Sequence, residues 1–369
     1  MQPVTEKGSL RRIGIIIVTH QSARHIGPLW QSLAATVDPK RTSLCVCDNA
    51  STDETVAILK RENDILGLSL HLITSKENFG FARANNEAFD RLHADGTSYD
   101  IIVLLNPDTV VQPGWLEPLV KMLEDPGIGM AVPLLLLPDG KINSRGNALH
   151  FLGLGYVQGL GENISEAKLD EPFFSGSGAA VALDMAALTR TNELFGLKRI
   201  FWDELFIYAE DSDLGWRMRL AGFQPKLCPE SRVLHDYHYP VFKPLAVEDR
   251  LFLIERNRYL VLLVNFKAAT LFLLLPWIIA SELALASRLW KLYSRRLRLW
   301  REIGKRVYSP TFWSRRHGLQ MGRKRKDRDI LKAMTGSIEH GARPLNLVDK
   351  IVDAGLRGSH RFLCWVVWW

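Results

Sequence analysis

Cysteine is scarce in this chain: four residues in 369. Cys45 and Cys47 alternate within one apolar stretch, Cys228 stands alone, and Cys364 lies near the end. So few, so spaced, they exclude a disulfide scaffold and point to reduced thiols in a cytosolic setting. Glycine loops of the common phosphate-binding kinds are absent too. No Gly-x-Gly-x-x-Gly follows the first apolar run and no Walker lysine occurs, which argues against a Rossmann oxidoreductase and a P-loop enzyme. Met1–Leu10 is polar and the run Ile13–Val18 is too short for a secretory signal, so a cytosolic start is expected. No internal repeat appears, and no low-complexity tract before residue 290.

What is plentiful is positive charge in one place. Fifteen Lys and Arg stand against three acids between Ser281 and Arg328, a net +12, while the rest of the chain carries −5 and the total is +7. Basicity confined to one segment implies a local anionic partner. With 47% hydrophobic and 24% charged residues, the remainder is composed like a globular domain.

Apolar runs and polar punctuation alternate along the first third. Arg11–His20, Ser43–Cys47, Leu70–Thr74 and Ile101–Leu105 read as strands. Ile26–Thr36, the stretch opened by Ser51-Thr52-Asp53-Glu54, and Gly80–Leu92 read as helices. Strands and helices alternating at this spacing imply an α/β fold with a mostly parallel sheet, whose ligands bind at the carboxyl ends of the strands. Thr19, Asp48, Asn49 and Asp108 sit at those ends. After Pro138 the chain turns irregular and glycine-rich through Gly161, and order resumes over Phe173–Leu188 and Phe201–Leu220.

Five constellations carry chemistry. In Asn106-Pro107-Asp108-Thr109, a strand-end carboxylate can hold Mg²⁺ or Mn²⁺ against a diphosphate, or it simply closes a Pro-Asp turn. In Asp48-Asn49-Ala50-Ser51, Asp48 can accept a pyrimidine N3–H while Ser51 or Thr52 caps the next helix. Around Phe79-Gly80-Phe81, Gly80 allows close backbone approach, Arg83 offers a fork for phosphate, and Asn85 or Asn86 can bond ribose or base. Two adjacent Asn oppose helix propensity and hint at a reason beyond it. Glu210, Asp211 and Asp213 can supply a general base, and would equally suit the positive end of a helix. His235 and His238 follow an apolar pair, and one of them could complete a metal site.

Together, Ile15–His20, DNASTD (48–53), NFGFARANN (78–86), LNPDT (105–109), FSGSGAAVAL (174–183) and YAEDSDLGWRMRLAGF (208–223) resemble, in order, the family 2 glycosyltransferases of GT-A fold, particularly rhamnosyltransferase-like members that build bacterial surface polysaccharides. The resemblance covers about Ile13 to His238. It implies an inverting transfer of a sugar, rhamnose in this subgroup, from a UDP- or dTDP-sugar onto a lipid-linked or polysaccharide acceptor. It implies that Thr19, Asp48 and Asn49, with Arg83 and Asn85, line the nucleotide site. Asp108 would be the last acid of the metal motif, Asp211 of the Glu210-Asp211 pair the catalytic base, and His235 a late metal or diphosphate ligand. One departure stands out: Asn106 replaces the first acid of the usual triplet. A non-catalytic relative or a nucleotidyltransferase is the alternative, and intact Asp108 and Asp211 argue against the former.

Beyond the catalytic region, Tyr259–Phe266 and Ala269–Ala286 are strongly apolar, the second close to the ~20 residues that span a bilayer but interrupted by Pro276, Ser281 and Glu282. Arg288–Val307 then sets Leu289, Leu292, Tyr293, Leu297, Trp300, Ile303 and Val307 at helical spacing among Arg and Lys, as in a basic amphipathic helix at an anionic interface. Apolar residues on its other face favour lipid over nucleic acid. The expected organisation is a tail (1–10), a catalytic domain (11–240), a helical membrane-associated region (241–330) and a C-terminal tail (331–369), at the cytoplasmic face of the bacterial inner membrane. If the catalytic domain folds alone, a chain ending near Val241 keeps donor hydrolysis.

Overall fold

The computed structural model describes residues 11–66, 69–236, 247–288, 293–338 and 347–369. The expected 1–10 tail, the boundary at 240/241, His238, Leu289 and Leu292 lie outside them. Three parallel strands open the fold in alternation with helices: β1 (Ile13–Thr19), α1 (Ala23–Thr36), β2 (Thr42–Asp48), α2 (Thr55–Leu66), β3 (Ser69–Thr74), α3 (Gly80–His93) and then β4 (Ile101–Leu105). These bounds lie within a few residues of those the periodicity predicts.

The next stretch was less legible. It holds β5 (Thr109–Val111), α4 (Leu116–Met122), β6 (Ile128–Leu136), β7 (Ile142–Ser144), and a hairpin of β8 (Asn147–Leu149) and β9 (Gly155–Val157). Then come β10 (Ala180–Asp184), α5 (Met185–Phe195), a 3-10 turn at Asp203–Leu205, α6 (Glu210–Ala221) and β11 (Gln224–His235). β11 carries Pro225 and Pro229 and breaks register between Cys228 and Arg232, which hid it from pattern reading.

The main sheet runs β3-β2-β1-β4-β10-β6-β11-β5, with β7 on β6. Here the expectation of a mostly parallel sheet needs correcting. β1 to β4 are parallel, but β10 enters antiparallel between β4 and β6, and β5 and β7 also pair antiparallel. The sheet is mixed. Both its faces are covered, which is why β1 reads as an unbroken apolar run. Ile13, Ile15, Ile17, Leu44 and Val46 pack with α1, α2 and α4, while Ile16, Cys45, Cys47 and Leu104 pack on the other side with Ala82, Leu188 and Leu214.

Six further helices follow: α7 (Val247–Asn265), α8 (Ala268–Arg288), α9 (Tyr293–Val307), α10 (Pro310–Gly322), α11 (Asp327–Ala333) and α12 (Leu347–Val366). They share one apolar core with α5 and α6. Trp216 of α6 sits edge-on to Phe174 and to Phe266 at the end of α7, with ring centroids 5.8 and 4.6 Å apart. Leu205, Leu260, Leu319 and Leu331 fill the same cluster. Gly318 and Gly322 of α10 let that helix close onto the carbonyls of Phe195 and Leu194, where any Cβ would collide. A buried charge knot adds to this. Asp213 of α6 accepts from Arg217 (2.9 Å), from Arg315 of α10 (2.7 Å) and from Asn265 of α7 (3.2 Å). Burial works against its ionisation, but Arg315 and then Arg217 hold its carboxyl below the usual range.

α9 buries Leu299 and Ile303, and its Trp300 packs tilted against Tyr259, ring centroids 5.0 Å apart, although 42% exposed. α8 behaves differently: Phe272, Leu275, Ile279 and Leu283 stand exposed along it. Among the described residues no helix is long and apolar enough to cross a membrane.

Candidate active site

The carboxyl ends of β1, β2 and β4 open onto a cavity of about 200 Å³ lined by Val18, His20, Asn49, Asn78, Gly80, Asp108 and neighbours. Thr19 and Asp48 are buried and bonded to each other rather than left open. Thr19 Oγ1 donates to Asp48 Oδ1 (2.8 Å), and Ser51 donates to the same carboxylate through its hydroxyl (2.6 Å) and its amide (2.9 Å). The pair ties β1 to β2 and presents Asn49. Asn49 in turn holds the approach to α3, its Nδ2 donating to Asn78 Oδ1 (2.8 Å) and its Oδ1 accepting from the Phe79 amide (2.6 Å). The helix-capping role expected of Ser51 or Thr52 falls to Asp53, which accepts from the Thr55 amide (3.1 Å).

The Asn-Asn pair in α3 divides its work. Asn85 is buried and donates back to the Phe81 carbonyl (2.8 Å). Asn86 bridges to a distant segment, donating to the Phe201 carbonyl (3.0 Å) and accepting from the Phe201 amide (3.0 Å). Arg83 is half-exposed over the Phe79 ring at 4.2 Å, with Glu87 3.6 Å away. Asn106 donates its amide to the Ala179 carbonyl (2.8 Å), fixing β4 to the start of β10.

Asp108 and His235 meet where β4 ends and β11 ends. His235 Nε2 lies 3.4 Å from Asp108 Oδ1, and His235 Nδ1 lies 2.9 Å from Asn143 Oδ1. An amide oxygen can only accept, so Nδ1 donates to Asn143, and Nε2 faces the Asp108 carboxylate. Asp108 Oδ1 is buried and makes no hydrogen bond within the protein. A carboxylate oxygen and an imidazole nitrogen at this distance can share a cation, with Asn143 orienting the imidazole from behind. Burial pushes Asp108 up, and His235 more than offsets it, leaving the carboxyl below its usual value. Among the described residues no group of three or more His, Cys, Asp or Glu is arranged to hold a metal ion, so a metal here would draw its remaining ligands from elsewhere.

A second cavity, about 220 Å³, lies between the β8–β9 hairpin, the start of α6 and α7. Asn147, Tyr156, Tyr208, Glu210, Asp211 and Arg258 line it. Asp211 accepts from Asn147 Nδ2 (2.7 Å) and from the Ser212 amide (2.6 Å), whereas Glu210 Oε2 is buried with no hydrogen-bond partner. Burial, then the neighbouring Asp211, pushes Glu210 up to about 8. Burial raises Asp211 too, against the hydrogen bonds from Ser212. Of the adjacent acids, Asp211 is the one whose anion the protein supports, and Glu210, lacking such donors, holds its proton more tightly. Asp213, also named from the sequence, belongs to the charge knot below and does not line this cavity.

One short segment walls both cavities. Phe206 and Ile207 line the first, Tyr208 and Ala209 the second. Sequence reading took this segment only as the lead-in to the acids of α6, and it passed over Asn143 and Asn147. Those two Asn sit in the glycine-rich stretch, and their partners His235 and Asp211 lie 92 and 64 residues away, so no local signal marks them.

Residues 14–187 match the model of the family described as Glycosyl transferase family 2, a match that ends before Glu210 and Asp211. Over 206 residues the chain is 25% identical to the O-antigen biosynthesis protein RfbC of Myxococcus xanthus, a match over 55% of this chain but only 15% of that protein's length. Over 245 residues it is 24% identical to an N-acetylglucosaminyl-diphospho-decaprenol L-rhamnosyltransferase of Mycobacterium tuberculosis, covering 60% of this chain and 75% of the other. In solved structures, GalNAc-T7 with UDP, GalNAc and Mn²⁺ superposes with a TM-score of 0.53 at 16% identity, over 71% of this chain and 49% of that one. The likeness is one of fold: a GT-A-like α/β arrangement around a mixed sheet.

Proposed function

The chain carries a glycosyl transferase family 2 domain over residues 14–187, and from that premise we propose that it transfers a sugar from a nucleoside-diphosphate donor to an acceptor hydroxyl with inversion at the anomeric carbon. The observation that carries this reading is the pair of cavities sharing the 206–209 wall, one holding Asp108 and the other Asp211. The donor occupies the first and the acceptor the second.

The transfer is a single displacement. The acceptor oxygen bonds to the anomeric carbon as the bond to the diphosphate breaks, and the nucleoside diphosphate leaves with that electron pair. Asp211 takes the hydroxyl proton, its carboxylate aimed by Asn147 and Ser212. Glu210, holding its proton more tightly, adds no second charge beside it. Asp108 and His235 would hold a divalent cation, Mg²⁺ or Mn²⁺, which supplies charge neutralisation for the leaving diphosphate. The crystallised fold relative binds UDP and Mn²⁺, which supports a UDP- or dTDP-sugar here. The name of the mycobacterial relative supports rhamnose as the sugar and a lipid-linked diphosphate as the acceptor's carrier.

A lipid-borne acceptor calls for a membrane surface, and the cytoplasmic leaflet of a bacterial inner membrane fits the basic segment. The exposed apolar residues of α8 support this reading, as do exposed Leu297, Trp300 and Trp313 among the arginines of α9 and α10. The test of the reading is a panel of nucleotide sugars with the full-length protein and Mg²⁺ or Mn²⁺. Metal-dependent release of nucleoside diphosphate is expected from at least one UDP- or dTDP-sugar. Release from none of them would overturn it.

A further inference from the structure

The segment between the 3-10 turn and α6 is backbone of an uncommon kind. Phe206, Tyr208 and Ala209 have φ of 63, 74 and 66°, three non-glycine residues in the left-handed region within four positions. Such a conformation persists only where surroundings over-determine it. The surroundings here are two side chains of α7. Asn257 Nδ2 shares its two protons among the carbonyls of Leu205 (2.8 Å), Ile207 (2.9 Å) and Tyr208 (2.7 Å). Arg256 Nη2 donates to those of Glu204 and Leu205 (both 3.0 Å), and its Nε donates to Asn257 Oδ1 (2.9 Å), aiming the amide. Asn257 is fully buried.

From the opposite side the segment meets the start of α3. The Phe206 carbonyl accepts from the Ala82 amide (3.0 Å), and Phe206 packs on Gly80, where a Cβ would collide with its ring and carbonyl. The segment is therefore held between α3 and α7, and it leads directly into Glu210 and Asp211.

We propose that Asn257, oriented by Arg256, is a positioning residue for the transfer reaction: it holds the 204–209 segment in its left-handed path and thereby sets the donor cavity and the base-bearing cavity at a fixed offset. In-line displacement needs that offset, because the attacking oxygen and the leaving diphosphate approach one carbon from opposite sides. α7, which lies outside the matched family region, becomes part of the catalytic unit. The proposal rests on the glycosyl-transfer reading for its kinetic consequence, but its structural consequence stands alone.

Three full-length variants test it. Asn257→Ala removes these shared donations, Arg256→Lys weakens the aim, and Leu59→Ala opens a cavity in a core remote from the segment. In Asn257→Ala, amide exchange over 204–209 is expected to speed up by on the order of 10²-fold. Its kcat/KM for nucleotide-sugar cleavage is expected to fall by a similar order, through both kcat and donor KM. Arg256→Lys should fall between Asn257→Ala and wild type. Leu59→Ala should lower the unfolding temperature while leaving both readouts at wild-type values. Unchanged exchange over 204–209 in Asn257→Ala, or equal kinetic loss in Leu59→Ala, overturns the proposal. A wild type that neither binds UDP with Mn²⁺ nor cleaves any nucleotide sugar overturns the functional reading instead, and exchange then judges the clamp by itself.

Discussion

Glu210 and Asp211 are neighbours in sequence and in one cavity, yet their partners differ, and the difference assigns their roles. Asp211→Asn keeps the shape and the Asn147 contact but cannot take a proton. Transfer should fall on the order of 10²–10⁴-fold with UDP affinity unchanged, measured by product formation and by calorimetry. For Glu210 the informative variable is stability against pH. Its folded pKa, about 8, lies above the ordinary 4.5. Between those values the folded state keeps a proton that the unfolded state has lost, so stability falls as pH rises through that window. Glu210→Gln lacks this loss. Denaturant unfolding should find the variant gaining on wild type from pH 5 to pH 8, and parallel curves would refute the assignment. At the first cavity, Asp108→Ala should abolish the Mn²⁺-dependent part of UDP binding while leaving the circular dichroism spectrum intact.

At the scale of elements, α6 is where the two halves of the molecule are joined. Its first turn carries the proposed base, and its Asp213 is locked by Arg217 and by Arg315 of α10. Removing one partner of a buried ion pair strands the other, which typically costs about 3–5 kcal/mol. Arg315→Ala leaves Asp213 paired with Arg217 and Asn265, so its loss by denaturant unfolding should stay below that figure yet exceed that of Arg190→Ala, whose partner Glu193 is exposed. α9 divides its apolar face: Leu299 and Ile303 join the protein's own core, while Leu297 and Trp300 stay exposed beside the row of apolar side chains that α8 turns outward.

For the molecule as a whole, the shared core decides what can be removed. Leu205, Trp216 and Phe174 of the catalytic half pack with Leu260, Phe266, Leu319 and Leu331 from beyond residue 241. A chain cut near Val241 would expose that surface and lose both Asn257 and Arg315. We expect it to be insoluble or unfolded, where a self-sufficient domain would keep donor hydrolysis. Soluble, cleaving truncated protein would show that the first 241 residues fold alone. The membrane proposal is also a whole-molecule matter: the intact protein should float with anionic vesicles and release in high salt, and Phe272→Asp with Ile279→Asp should weaken flotation without lowering nucleotide-sugar cleavage. Wild type that stays with the soluble fraction would remove the membrane role.

By itself the sequence determined what repeats locally. The strand-helix alternation to residue 105, the polar residues at strand ends, and the acids opening α6 all follow from periodicity and capping within a few residues. Tertiary structure decided what depends on long separations. The antiparallel entry of β10, the Asn143–His235 contact, the Asn147 bond that sets Asp211 apart from Glu210, and the pairing of Asp213 with Arg315 all join residues tens of positions apart or more. Periodicity reports which face of an element is apolar. It does not report what covers that face, so the apolar face of α9 divides between core and surface, and α7, which looked like part of an appendage, became a wall of the site.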